Sequence, residues 1–236
     1  MQRRIFIGDV HGHYDGLMVL LDAIAPNSHD QVYFLGDLIN RGGKSAEVVE
    51  FVRQSSYHCL LGNHEQMLWE YLSRKQVLQK ALETGRFGNY EETAASYRKV
   101  GLSLLPVHLQ WFASLPTHLD LRDIFAVHAG VHPQIPLEKQ TSREFCWIRQ
   151  PFHHMSQPYF TDKLIIVGHT VTFKFPGVVP GKIAQGQGWL DIDTGAYDPR
   201  SGWLTALDIS NHQVYQVNVF SRVQRILSLE EATVKV

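Results

Sequence analysis

The chain has 236 residues, 44% of them hydrophobic and 19% charged, which is enough for one sizeable core and too little for two. Lys and Arg number 22 against 23 Asp and Glu, and the net charge of -1 excludes the basic field of a bulk nucleic-acid or anionic-membrane binder. Two cysteines, Cys59 and Cys146, exclude a disulfide framework, so a reducing cytoplasm is the expected compartment, and the 13 histidines are the compositional oddity.

Ile5-Phe6-Ile7-Gly8 reads as a first strand, not a signal peptide, and ends at Asp9. No apolar run approaches the roughly 18 residues of a membrane span. Leu17, Leu20, Leu21 and Ile24 share one face of a helix. A second strand, Val32-Tyr33-Phe34-Leu35-Gly36, ends at Asp37. Val48, Val49, Phe51 and Val52 mark the next helix, and Cys59-Leu60-Leu61-Gly62 is a third strand that ends at Asn63. Strand, helix, strand, helix, strand predicts a sheet with parallel members.

About residues 66–115 read as a helical excursion, interrupted at Gly85-Arg86-Phe87-Gly88-Asn89 and at Gly101. Trp69, Tyr71 and Leu72 fit a largely buried helix there. Two further strands follow: Ile124-Phe125-Ala126-Val127 before His128, and Leu164-Ile165-Ile166-Val167-Gly168 before His169. After His169 the pattern turns to β, with strands expected over Gly186 to Asp193 and over Trp203 to Ile209. No linker divides the chain, and residues 1–236 are expected to form a single catalytic domain.

Five strands thus each end at Asp, Asn or His. In open α/β sheets, ligands bind outside the carboxyl ends of strands. One such residue is commonly a cap or a turn; five of metal-ligand type make a site.

Gly8-Asp9-Val10-His11-Gly12, Gly36-Asp37-Leu38-Ile39-Asn40-Arg41-Gly42, Gly62-Asn63-His64-Glu65, His128-Ala129-Gly130 and Gly168-His169-Thr170 together resemble the motifs of the calcineurin-like metallophosphoesterases. More narrowly, the set is similar to the PPP-type phosphoprotein phosphatases, over residues 6 to about 207. The resemblance implies an α/β sandwich of mixed β-sheets flanked by helices, with a dimetal site at the strand ends. It implies Asp37 as the bridge between two cations, Asp9 and His11 completing one, and Asn63, His128 and His169 completing the other. The donors are carboxylate, imidazole and amide oxygen without thiolate, which suits manganese, with iron or zinc as alternatives. Two such cations make water reactive toward phosphorus at neutral pH. His64 is expected to protonate the leaving group, and Arg41 and Arg149 to grip phosphate oxygens, Arg149 from the weaker motif Trp147-Ile148-Arg149.

One residue departs from the family pattern. Many members carry Asp where this chain has Asn40, and an amide can orient His64 but cannot stabilise its positive charge. Slower turnover of poor leaving groups is the expected result. Neither cysteine has an arginine six residues later, since Glu65 and Phe152 stand there, so covalent thiol catalysis is excluded.

His13 reads as a helix-entry or surface residue. His132, His153 and His154 read as solvated rim residues, and Asp193-Thr194-Gly195 as a turn bordering the site. The leading expectation is a phosphomonoesterase acting on phosphorylated proteins, Ser/Thr and also Tyr or His, or on small phosphate esters, without nucleic-acid or membrane partners. The alternative is a symmetrical bis(5'-nucleosyl)-tetraphosphatase, and a catalytically silent metal-binding scaffold ranks third. Glu65 tips the order toward phosphoproteins, because the nucleotide enzymes more often carry Asp there; Asn40 argues the other way.

Overall fold

The computed structural model describes residues 2–236. Two six-stranded mixed sheets carry helices on their outer faces. The chain begins β1 (Arg4–Ile7), α1 (Tyr14–Ile24), β2 (Gln31–Phe34), α2 (Ser45–Gln54) and β3 (His58–Cys59), and these three strands pair in parallel. Four helices follow: α3 (Asn63–Leu72), α4 (Lys75–Thr84), α5 (Glu91–Val100) and α6 (Leu104–Ser114). Gly85 stops α4 in the left-handed region at φ 65°, and Gly101 stops α5 at φ 126°.

The second sheet begins with β4 (His118–Asp120) and β5 (Ile124–Val127). The short helices α7 (Ser142–Trp147) and α8 (Gln150–His153) precede β6 (Leu164–Val167), β7 (Ile183–Gly186) and β8 (Trp189–Asp191). The chain then returns to the first sheet with β9 (Trp203–Asp208), β10 (Gln213–Asn218) and β11 (Gln224–Ser228). Through α9 (Leu229–Ala232) it ends on the second sheet as β12 (Thr233–Lys235). The sheet orders are β11-β10-β9-β1-β2-β3 and β12-β7-β8-β6-β5-β4.

Side-chain alternation explains why these strands read as unbroken apolar runs. Ile5 and Ile7 pack toward the helices while Phe6 packs between the sheets; Ile165 and Val167 face outward and Ile166 inward. Both faces are therefore covered, as expected of parallel strands that carry helices. Each fully buried Phe, Ile or Leu contributes roughly 1.5–3 kcal/mol. In α1 the predicted face, Leu17, Leu20, Leu21 and Ile24, is buried against the first sheet.

Three expectations fail. The third strand is only His58–Cys59, and Leu60, Leu61 and Gly62 run beyond it as loop. The segment from Gly186 to Asp193 is not one strand: a turn at Gln187-Gly188 makes it the hairpin β7–β8, with Gly188 at φ 78°. Tyr71 is 36% exposed, so the outer side of α3 is wetter than its apolar composition suggests. Among the described residues no helix is long and apolar enough to cross a membrane.

Candidate metal centre

The carboxyl ends of β1, β2, β5, β6 and β8 open on one edge of the sandwich, joined there by the start of α3. Asp9 and His11 follow β1, Asp37 follows β2, Asn63 and His64 open α3, His128 follows β5 and His169 follows β6. Asp9, His11, Asp37, Asn63, His128 and His169 are all buried, whereas the side chain of His64 keeps 15% of its exposure.

Backbone geometry here is unusual. His11, Asp37, Asn40, Arg41 and His169 all adopt positive φ, between 46° and 70°. Such conformations are uncommon without glycine and mark a backbone bent for a purpose. Glycine enforces the closeness: a Cβ on Gly62 would collide with the backbone N and Oδ1 of Asp37, and one on Gly168 with Oδ1 of Asp9.

Asp37 is the hub. One group of mutually close donors is Asp37 with His11 and His64, and another is Asp37 with His128 and His169, all donor atoms of each lying within 4.8 Å. Oδ1 of Asp37 is 3.4 Å from Nε2 of His128, and Oδ2 is 3.7 Å from Nε2 of His11 and 3.8 Å from Nε2 of His64. His64 thus stands inside the tight group where Asp9 was expected. Asp9 lies 3.9 Å from Nε2 of His11 and accepts from the backbone N–H of His169 at 3.2 Å.

The imidazoles are aimed by what they bond behind them. Nδ1 of His11 donates to the carbonyl of Ile39 at 2.9 Å, and Nδ1 of His128 to the carbonyl of Leu35 at 2.8 Å. Each neutral ring therefore turns the Nε2 lone pair toward the site. Burial pushes His11 down to about 3 and His169 down to about 2, and lowers His128 as well. Burial alone would raise Asp37, but the imidazoles of His128, His64, His11 and His169 hold it below the ordinary carboxylate range. Burial, with Asp193 and Asp37 beside it, pushes Asp9 well up.

Lone pairs consequently face one another. With Nδ1 of His128 committed to Leu35, its Nε2 meets Oδ1 of Asn63 at 3.0 Å, acceptor against acceptor. Oδ1 of Asn63 is also 2.9 Å from Nδ1 of His169, whose Nε2 is buried without a partner. Nε2 of His128 and Oδ1 of Asn63 are buried acceptors pressed together, the arrangement a cation satisfies. The residues present therefore fit a pair of divalent ions.

Around the rim, Nδ1 of His64 is 2.7 Å from Nδ2 of Asn40, and Oδ1 of Asn40 accepts from the hydroxyl of Thr93 on α5 at 2.6 Å. Arg41 is exposed and lies over the ring of Tyr197 at 4.9 Å. Arg149 donates to Oγ1 of Thr170 at 2.9 Å, directly beside His169. Tyr197 was not foreseen. It sits edge-on to His11 at 4.8 Å, and its only sequence signal was its place two residues past the Asp193-Thr194-Gly195 turn.

Glu65 makes backbone contacts: it accepts from the N–H groups of Asp37 and Leu38 at 2.8 Å and of Ile39 at 3.2 Å. It is wholly buried and clamps the loop after β2. The solvated reading of His153 is wrong. His153, the last residue of α8, is buried among Phe152, Phe175 and Trp189, 3.5 Å from Asp191, because β8 and the segment at Phe175 close over it; His154 is exposed as expected. His13 stands at the entry to α1 without a side-chain cap hydrogen bond. Asp193 accepts from the N–H of Gly195 at 3.0 Å, a turn contact.

Calcineurin-like phosphoesterases match residues 3–192 of this chain. A symmetrical bis(5'-nucleosyl)-tetraphosphatase of Aliivibrio salmonicida is 32% identical over 139 residues, covering 58% of this chain and 47% of the relative. The enzyme of the same name from Haemophilus influenzae is 27% identical over 165 residues, 67% of this chain and 56% of the relative. The matched part spans about half the length of these curated relatives. A cold-active protein-tyrosine phosphatase of a psychrophilic Shewanella species shares the fold, with a TM-score of 0.57 at 18% identity over 97% of this chain and 81% of that one.

Proposed function

This chain belongs to the calcineurin-like phosphoesterase family, and from that premise we propose that it hydrolyses dinucleoside tetraphosphates symmetrically, adding water across the central phosphoanhydride to release two nucleoside diphosphates. The observation that carries the reading is Asn40, in contact with His64 where a carboxylate would support a strong proton donor. An alkoxide leaving from phosphoserine needs that proton badly. A phosphate leaving from an anhydride is a weak base and needs it far less. The nucleotide-cleaving relatives support the same choice.

This order reverses the one drawn from the motifs. Glu65 had tipped it toward phosphoproteins, yet its carboxylate is spent on three backbone N–H groups and touches no surface a substrate could reach.

In this reading Asp9, His11 and Asp37 would hold one divalent cation, and Asp37, Asn63, His128 and His169 a second. When bound, the pair supplies an activated water and neutralises charge on the phosphoryl group. Arg41 and Arg149 orient the phosphoryl oxygens as planar forks, and Tyr197 steadies Arg41 from beneath. The Nε2–H of His64 donates a hydrogen bond to the departing oxygen, and Asn40 fixes the plane of its ring. Burial of the six donors keeps bulk water from competing.

The test is a paired assay of diadenosine tetraphosphate and a phosphoserine peptide at equal enzyme with added manganese. Two equivalents of ADP with slow peptide turnover are expected. Rapid peptide turnover with an intact dinucleotide restores the phosphoprotein reading.

A further inference from the structure

The loops after β1 and β2 bound a second feature beside the candidate metal centre. A groove of about 300 Å³ opens against Gly12 and Gly43, with Lys44, Lys99, Arg222 and His13 on its walls and one acid, Asp15. We propose that this groove binds the phosphates of a linear polyphosphate lying beyond the one under attack. The proposal rests on the tetraphosphatase reading and extends it.

Charge is the first argument. Lys44 pairs with Asp15 at 2.6 Å, and Arg222 approaches the same carboxylate at 3.9 Å; with Lys99 on the wall, a single acid faces three cations. Exposed ion pairs stabilise a fold by at most about 1 kcal/mol, so three cations around one carboxylate are a poor structural device. They come from three separate parts of the chain: the β2–α2 loop, α5 and the β10–β11 turn.

The helices add to the field. α1 and α2, of 11 and 10 residues, both begin on this groove, and neither has a side-chain cap at its start. Their N-terminal ends contribute partial positive charge in the same direction as the cations.

The groove and the metal centre share their loops. Gly12 is bonded to His11, and Gly43 lies two residues past Arg41. Gly12 and Gly42 pack backbone to backbone, so closely that a Cβ on either would fall 2.5 Å from a carbonyl oxygen of the other loop. A Cβ on Gly43 would meet nothing within 4 Å. The seam of the two loops, between the hub at Asp37 and the groove, is thus built of glycine backbone. A phosphoserine peptide brings one phosphate on a neutral backbone and has no use for the cations beyond it.

The test is calorimetric titration of the full chain with inorganic tetraphosphate and with orthophosphate, in excess magnesium so that chelation is constant. The variants are Lys99→Glu with Arg222→Glu, and separately Gly43→Glu, which places its side chain in open space and leaves the fold unstrained. Tetraphosphate should bind the wild type roughly tenfold or more tighter than orthophosphate, and each variant should lose about tenfold for tetraphosphate and under about threefold for orthophosphate. Equal affinity for the two anions, equal losses for both, or unchanged tetraphosphate binding in the variants overturns the proposal. So does a doubly phosphorylated peptide that responds to the variants while tetraphosphate does not. A parallel titration with diadenosine tetraphosphate separates the sources. Tighter binding than the inorganic chain assigns a nucleotide; equal binding assigns polyphosphate itself, and either outcome supports the groove. Charge-dependent tetraphosphate binding by an enzyme that leaves the dinucleotide intact would remove the substrate reading and keep the groove.

Discussion

Asn40 and His64 meet amide to imidazole, with Nδ2 of Asn40 at 2.7 Å from Nδ1 of His64 and the amide oxygen already engaged by the hydroxyl of Thr93. Thr93 is fully buried, so the amide cannot turn over without breaking a buried hydrogen bond. In this orientation Asn40 donates and Nδ1 accepts, which leaves the proton of the neutral ring on Nε2, the nitrogen 3.8 Å from Asp37. Replacing Asn40 by Asp should favour the charged ring. The expected result is a several-fold rise in turnover of alkyl phosphates relative to aryl phosphates, within the roughly 10²–10⁴-fold range of general acid catalysis, and a pH–rate profile whose alkaline limb moves up. Unchanged ratios and an unchanged profile would count against this role for the pair.

Metal content separates the roles of His64 and Asp37. The variant His64→Asn should lose about 10²-fold or more in turnover while keeping its bound metal near the wild-type level. Asp37→Ala should empty both positions, since it belongs to both donor groups. Elemental analysis of purified proteins decides it. If His64→Asn also loses metal, His64 is a ligand, which its place in the tight group with His11 would explain.

Glu65 is a loop clamp. Burial and then Asp37 push it up to about 8, while the three N–H groups it accepts pull the other way. Glu65→Ala strands those three donors in the interior and should cost about 3–5 kcal/mol, at 1–3 kcal/mol for each unmet group with partial relaxation. Chemical denaturation measures it. Glu65→Asp should leave the ratio of dinucleotide to phosphopeptide cleavage unchanged, and a shift of that ratio would return Glu65 to a part in substrate choice.

Away from the site, Arg3 grips Asp30 through Nε at 3.0 Å and a terminal nitrogen at 2.6 Å. The hydrogen bond from Arg3, followed by the N–H groups of Asn27 and Arg3, holds Asp30 down to about 2 against 3.8 for a free carboxyl. A carboxyl depressed in the folded state stabilises above its unfolded value and ceases to do so as pH falls through the folded one. Asp30→Asn should therefore melt below the wild type at pH 6, and the gap should narrow steadily from pH 4 toward 2. A gap independent of pH would mean that the contact acts through packing.

Much of the site was legible because its donors sit at one kind of place. Asp9, Asp37, Asn63, His128 and His169 each follow a short apolar run, and parallel strands bring such ends to one edge whatever the intervening chain does. What could not be read depends on contacts between distant segments. His153 is polar and precedes another histidine, and only the approach of Trp189 and Asp191 makes it a core residue. The break at Gln187-Gly188 was hidden because Trp189 and Leu190 continue the apolar pattern across the turn. Tyr197 has only its place just past a turn as a local signal, since its meaning lies in Arg41 and His11. Nor can side-chain types foretell that Asp37 and His169 would be left-handed; that follows from how closely Gly62 and Gly168 are pressed against the acids.

Five non-glycine residues held left-handed around one hub are a local reservoir of conformational energy, of order 1–2 kcal/mol apiece. The rest of the sandwich, covered on both faces, must restrain them. On warming, the amide hydrogens of these loops should exchange with solvent well before those of β1, β5 and β6, and a chelator should advance their release without softening the sheets beneath.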